Sequence, residues 1–157
     1  MVKINSNSRL PSIKTKVVLT QTDTTVGFLS QNEANLTLIK ERPSSKPFIK
    51  VYSNFSALLN DSRRVPNSKK REVRRAKKTT FIVKGLAFRV AKTALHSSIL
   101  READWNYSTS ANETGKNFHR DFCEEKTDII IEDKNSLYEG NSSSLYKINN
   151  KKLRKLR

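Results

Sequence analysis

Apolar positions along this chain come in short runs with two spacings. Lys16–Thr20 (KVVLT) is a compact apolar run suited to a buried strand, and it ends in the polar cluster Gln21–Thr25. Pro47–Tyr52, Thr79–Val83, Leu86–Val90 and Asp128–Glu132 read the same way, being rich in β-branched and aromatic residues. Lys84–Gly85 is a tight turn that makes a hairpin of the runs on either side of it. Asn106–Ser108 and Ser144–Ile148 predict two further short strands. Gln31–Lys40 follows helical spacing instead, with Ala34 and Leu38 on one side and Leu36 near them, and it stops before Pro43. Further helices are expected over Phe55–Leu59, from Asn67 as cap to about Ala76, from Thr93 as cap to Glu102, and over Asn117–Glu124. Residues 1–15 read as a flexible extension, Thr109–Gly115 and Asp133–Ser143 as loops, and 151–157 as a basic tail. Strands and helices intermix with at least one antiparallel pair, so the expected fold is α/β: one domain over 16–150, a mixed sheet with flanking helices.

Composition changes this picture in two ways. At 157 residues and 35% hydrophobic, the chain suffices for one core. The single cysteine, Cys123, rules out an internal disulfide or a zinc cluster. No run approaches the roughly 18 apolar residues of a membrane span, and the first fifteen residues lack the apolar core of a signal peptide. The expected compartment is the cytoplasm, with no membrane partner. The net charge of +16 is the second change, because it favours a polyanionic partner. Diffuse lysine follows from base composition alone, but this charge clusters. Residues 63–78 carry nine cations (Arg63, Arg64, Lys69, Lys70, Arg71, Arg74, Arg75, Lys77, Lys78) against one acid, Glu72. These nine are the candidate RNA-binding residues, with a solvated basic face as the alternative.

Four segments carry candidate chemistry. Thr22-Asp23-Thr24 follows a strand, where open α/β sheets bind ligands, although the same residues build ordinary turns. Lys40 to Pro47 (KERPSSKP) is a proline-stiffened loop in which Arg42 offers a bidentate fork and Lys40 and Lys46 point charges; a plain surface loop fits equally. Ser108 to Asn112 (STSAN) offers three hydroxyls and an amide to phosphate oxygens, or is a polar loop. Arg89, inside the apolar strand Leu86–Val90, needs an anion if buried and none if it points outward. No glycine-rich phosphate cradle is present, His96 and His119 stand apart, and Cys123 reads as a small core residue.

In order, these motifs resemble the YrdC-like family of threonylcarbamoyl-AMP synthases. Gln21 to Phe28 (QTDTTVGF) occupies the family's Pro-Thr-(Asp/Glu)-Thr-x-x-Gly-Leu, and Lys40-Glu41-Arg42-Pro43 its Lys-x-Arg-Pro. Phe88-Arg89-Val90 matches the Val-Arg-Val/Ile strand, Ser108–Asn112 with Gly115 the Ser-Thr-Ser-Ala-Asn segment, and Ser142–Ser144 a late serine loop. The similarity spans about residues 16–148. It departs at Ala76-Lys77-Lys78, which replaces a Pro-Gly-Pro although Thr80 keeps its place, and at Gln21 and Val26 for the leading proline and the usual aromatic.

The resemblance implies a single twisted mixed sheet with a concave basic face. It implies a nucleotidyltransferase that makes threonylcarbamoyl-AMP and pyrophosphate from L-threonine, bicarbonate and ATP, with Mg2+ accompanying the ATP and no tightly bound cofactor. Lys40, Arg42, Ser110 and Asn112 would handle the ATP phosphates. Thr22, Lys46, Arg89, Ser108 and Ser143 would surround the threonine. The implied partners are tRNA or other RNA, double-stranded RNA included, and the tRNA threonylcarbamoyl-transfer machinery. A non-catalytic RNA-binding homologue is the second reading, favoured by Lys77-Lys78 in place of Pro-Gly-Pro.

Overall fold

The computed structural model describes residues 2–5, 14–41, 47–61, 65–101 and 103–157. Its strands are β1 (Val2–Asn5), β2 (Val18–Gln21), β3 (Val26–Ser30), β4 (Ile49–Tyr52), β5 (Thr79–Val83), β6 (Leu86–Val90), β7 (Trp105–Ser110), β8 (Ile129–Glu132), β9 (Ser144–Ile148) and β10 (Leu153–Lys155). Its helices are α1 (Glu33–Lys40), α2 (Phe55–Asn60), α3 (Lys70–Arg75), α4 (Ala94–Arg101) and α5 (Arg120–Glu125), with a 3-10 turn over Asn67–Lys69. All ten strands join one mixed sheet in the order β1-β8-β2-β3-β7-β4-β6-β5-β9-β10.

Register settles which side chains share a face, since neighbours along a strand alternate and paired residues point the same way. Leu19 pairs with Phe28 and Ile130, Lys50 with Phe88, and Phe88 with Phe81. Carried across the sheet through β7, these pairings put all of them on one face, together with Tyr52. Helices α1 and α5 bury Leu36 and Cys123 against one half of that face. Helices α2 and α3 bury Leu58 and Val73 against the other half. Each fully buried side chain of this kind is worth roughly 1.5–3 kcal/mol of transfer free energy. Lys50, a buried cation of this layer, is satisfied: its ammonium lies 2.7 Å from Asp61 and 3.6 Å from the centre of the Trp105 ring.

The opposite face is covered more sparsely. There Val18, Leu29, Ile129 and Ile131 pack on Ile99 of α4, and Val51 meets Leu100. Among the described residues α4 is the helix on this side, and it packs on part of the face from β8 and β2 through β3 to β4. The rest of the face, from β3 through β7, β4, β6 and β5 to β9, is left for a cleft.

The structure departs from the sequence reading at several elements. β3 was not expected: Gly27 interrupts the short apolar run of Val26–Ser30, which is nonetheless a strand buried throughout. β7 is longer than Asn106–Ser108, so Ser108 and Ser110 belong to a strand and the polar loop begins at Ala111. Asn67 does not cap the basic helix; it opens the 3-10 turn, and α3 has no side-chain cap. Helix α5 starts at Arg120, with His119 as the acceptor for the Phe122 N–H. Where a loose extension was expected, Val2–Asn5 forms β1 parallel to β8. Where a tail was expected, Leu153–Lys155 folds back on β9 through a turn in which Asn149 accepts the N–H groups of Lys151 and Lys152.

Candidate functional site

A cleft of about 490 Å3 lies on the sparsely covered face. Its floor is the set of strand residues that alternation turns that way: Ile49, Thr80, Ala87, Arg89, Ser108 and Ser110. Thr22, Thr24 and Thr25, from the β2–β3 turn, form one wall, and Ser142, Ser143 and Arg157 form another. Gly27 keeps the first wall close to the floor. A Cβ there would stand 2.9 Å from Thr22 Cγ2 and 3.0 Å from the Thr109 carbonyl oxygen.

Arg89 is the cation of the floor. Phe88 and Val90 go into the helix-covered core, so Arg89 between them faces the cleft, yet only 6% of its surface is exposed. Its guanidinium donates to Thr24 Oγ1 at 2.8 Å, while its Nε has no partner among the described residues. Burial lowers its hold on its proton; the Asp23 carboxylate acts against that and Arg157 adds to it. A buried guanidinium with an unused donor, next to a second cation, has the chemistry to receive an anion. This resolves the open choice for Arg89 in favour of the buried alternative.

Of the residues expected at the site, Thr22, Arg89, Ser108, Ser110 and Ser143 line one cleft. Ser143 shares a 2.9 Å hydrogen bond with Thr80. Lys40 and Asn112 lie beside the cleft and are tied to each other. The Lys40 ammonium donates to the carbonyls of Ser110 (3.1 Å) and Asn112 (2.5 Å) and to Asn112 Oδ1 (2.9 Å), and Ser110 Oγ donates to the same Oδ1 at 2.6 Å. Ser110 therefore couples this polar knot to the cleft. Arg42 and Lys46 lie outside the described residues, as do Arg63 and Arg64. Lys69, Lys70, Arg71, Arg74 and Arg75 sit on the helix-covered side, because α3 packs there through Val73. Lys77 and Lys78 are exposed and lead into β5.

Three parts of the site were not read from the sequence. Arg157 was taken as tail, but its Nε donates to the Ser143 carbonyl at 3.2 Å. The Asn149-Asn150 turn was the local signal that could have brought it back. Gly140 was the second. Its Cβ position would fall 2.1 Å from the Thr24 carbonyl oxygen, so the segment before Ser142 crosses the β2–β3 turn at a distance that admits no side chain. The Gly140 N–H donates to Thr25 Oγ1, and Val26 N–H to the Tyr138 carbonyl. The third is His96, which does not stand apart but is fully buried with Nδ1 3.2 Å from Asp23. Burial raises the Asp23 pKa, but hydrogen bonds from His96 and Thr93 outweigh it and bring the carboxyl down to about 2. Burial lowers the pKa of His96, against the pull of Asp23.

With this geometry established, known proteins can be compared. The family model for Sua5, YciO and YrdC, described as "Telomere recombination", matches residues 13–157. No curated protein matches the sequence. Sua5 of P. abyssi complexed with L-threonine is similar at TM-score 0.78 and 19% identity, over 100% of this chain and 57% of that one. A doubly substituted P. abyssi Sua5 gives 0.78 and 19%, over 99% and 59%. E. coli YciO gives 0.74 and 15%, over 99% and 93%. The chain thus spans less than three-fifths of the length of those Sua5 chains and nearly all of YciO, and at these identities the likeness is one of fold.

Two outcomes are expected. Gly140→Ala would force the 137–143 segment off the Thr24 carbonyl, costing about 1–3 kcal/mol of stability by denaturant titration. Acidification would weaken the fold in two stages. Below about 6.5 the unfolded chain takes up a proton that buried neutral His96 refuses. Below about 3.8, down to about 2, a further ~2 kcal/mol is lost as Asp23 protonates. Urea midpoints measured against pH should show the lower stage missing in Asp23→Asn.

Proposed function

This chain belongs to the Sua5/YciO/YrdC family across residues 13–157, and from that premise we propose that it is a threonylcarbamoyl-AMP synthase serving tRNA threonylcarbamoyladenosine modification. The observation that carries the reading is the cleft itself, which gathers Thr22, Arg89, Ser108, Ser110 and Ser143 around one buried guanidinium. L-threonine, present in one of the similar Sua5 structures, supplies the carboxylate such a receptor requires.

In this reading Arg89 receives the threonine carboxylate, with Thr22, Ser108 and Ser143 offering hydroxyls around it. The threonine amine takes up CO2 from bicarbonate as a carbamate. A carbamate oxygen then attacks the α-phosphorus of ATP, and the bond to pyrophosphate breaks. Arg157 and Ser110 offer charge and a hydroxyl to the phosphates, Lys40 and Asn112 stand behind Ser110, Arg42 serves the phosphates as well, and Lys46 serves the threonine. The protein contributes positioning and charge neutralisation, and needs no nucleophile of its own. Mg2+ enters as part of the ATP substrate. Among the described residues no three His, Cys, Asp or Glu side chains come together as a metal cluster. No helix among those residues is long and apolar enough to cross a membrane, and the reading places the activity with tRNA in the cytoplasm, upstream of the transfer machinery.

A specific observation favours a second, compatible role in binding RNA. Residues 65–90 and 144–157 hold fifteen cations against the single acid Glu72, in a chain of net charge +16. These segments build α3, β6, β5, β9 and β10, which are neighbours at one end of the sheet. On the helix-covered side they border a groove of about 910 Å3, flanked by Lys70, Lys84 and Lys147 over Leu59, Val83 and Ile148. The groove and the cleft belong to opposite faces, so a phosphodiester backbone in the groove would not compete with small ligands in the cleft.

Purified protein given Mg2+, ATP, bicarbonate and L-threonine should release pyrophosphate and form product only when all three substrates are present. Arg89→Ala should lower product formation by about 30- to 1,000-fold, corresponding to roughly 2–4 kcal/mol for losing a buried charge partner. Product formed without threonine, or full activity in Arg89→Ala, would refute the assignment. For RNA, affinity for a short duplex should fall by roughly 10³–10⁵ between 50 and 200 mM salt if six to ten phosphates are neutralised. Reversing Lys70, Lys84 and Lys147 to Glu should flatten that dependence while L-threonine binding is unchanged.

A further inference from the structure

The β2–β3 turn presents Thr22 and Thr24 to the cleft, and between them Asp23 turns away from it. Asp23 is 4% exposed, and its carboxylate accepts four hydrogen bonds from one short segment. The N–H of Lys92 lies 2.6 Å from Oδ2, while the N–H of Thr93 (3.1 Å), the Thr93 hydroxyl (2.8 Å) and His96 Nδ1 (3.2 Å) converge on Oδ1. A carboxylate only accepts, so His96 carries its proton on Nδ1. Its Nε2, with no partner among the described residues, is then the bare lone-pair nitrogen. Lys92–His96 spans the junction between β6 and α4, three residues beyond Arg89. The turn that Asp23 anchors to this junction is the same turn whose Thr24 hydroxyl receives the Arg89 guanidinium.

The cleft floor and its threonine wall thus meet through a closed ring of contacts: Arg89 to Thr24, along the turn to Asp23, across to Lys92 and Thr93, and back along the chain to Arg89. Within this ring Asp23 is the member whose side chain is fully engaged away from the cleft. Its charge also acts on Arg89, opposing the loss of proton affinity that burial imposes. The groups facing it are His96, the hydroxyl and N–H of Thr93, the N–H of Lys92 and, at longer range, Arg89.

We propose that Asp23 is a positioning residue: by clamping the Thr22–Thr24 turn to the start of α4 it fixes where the Arg89 guanidinium points, and so sets affinity for the carboxylate-bearing ligand but not for the nucleotide. The ligand arm of this inference rests on the reading of the cleft given above; the conformational arm does not. In Asp23→Asn one amide group must face a backbone N–H that formerly met an oxygen, and the attraction for Arg89 is lost.

The test compares wild type with Asp23→Asn and Thr93→Val, the latter removing one hydroxyl donor at an exposed position. Isothermal titration would follow L-threonine and Mg-ATP separately, and side-chain NMR would follow the Arg89 Nε–H resonance without ligand. The expected result in Asp23→Asn is a Kd for L-threonine raised at least tenfold, a Kd for Mg-ATP within twofold of wild type, and an Arg89 resonance shifted or broadened by exchange. Thr93→Val should move the same two readouts less far. If the wild type binds no L-threonine, the functional reading fails, while the Arg89 resonance still decides the positioning role. An unchanged resonance in Asp23→Asn, or equal losses for both ligands, overturns it. Should Asp23→Asn fail to fold, a Thr93→Val protein identical to wild type in both readouts overturns it equally.

Discussion

Arg89 has to be buried and still face outward, and much of the structure follows from meeting both demands. Its neighbours Phe88 and Val90 commit β6 to the helix-covered core, so alternation sends Arg89 to the other face. There the sheet is left bare of helix, because a covering apolar layer would strand a desolvated guanidinium without an anion. The Thr24 hydroxyl satisfies one donor, and the Nε–H has no partner among the described residues. The cleft is the space this requirement leaves open.

The walls around that space are made by close backbone contact more than by bulk. Gly27 and Gly140 both occupy positions where a Cβ would run into a neighbouring carbonyl oxygen or methyl group. Gly27 lets the β2–β3 turn close onto β7, and Gly140 lets the 137–143 segment lie directly on that turn. The buried Asp23 carboxylate then holds the turn to the start of α4. Hydroxyls from four separate stretches of chain (Thr22, Thr80, Ser108 and Ser143) come to one place without a single glycine-rich loop. A site of this kind suits recognition by several neutral donors around one or two fixed cations.

Charge is partitioned along the sheet as well as across it. The end built from β6, β5, β9 and β10 holds nearly all of the excess positive charge, while the β8-β2-β3 end is close to balance. Such crowding of like charge opposes folding. Within the described residues it is eased by exposure: the α3 cations hold only Val73 in the core. The cost is tolerable at a surface that meets a polyanion, and harder to account for at one that meets only water.

Most strands and helices could be read from residue order because their apolar runs obey a local period, as in Thr79–Val83 with Leu86–Val90. Glu33–Lys40 is helical as expected, but it buries Leu36 and leaves Ala34 and Leu38, the expected apolar side, exposed. The order of the Thr, Arg and Ser motifs likewise pointed to Thr22, Arg89, Ser108, Ser110 and Ser143, which line one cleft. What the chain could not announce were features whose cause lies far away in sequence. β3, with Gly27 inside it, is a strand because β2 and β7 pair with it on either side, and β1 and β10 are strands because β8 and β9 offer them an edge. Arg157 enters the cleft through that edge pairing, and Asp23 finds His96 across 73 residues of chain. Local patterning determined most of the strands and helices, and the motif order picked out polar side chains that line one cleft. Only tertiary packing decided that Arg89 is buried but facing the cleft and that the basic helix lies behind the sheet, because both depend on strand register, which no single segment contains.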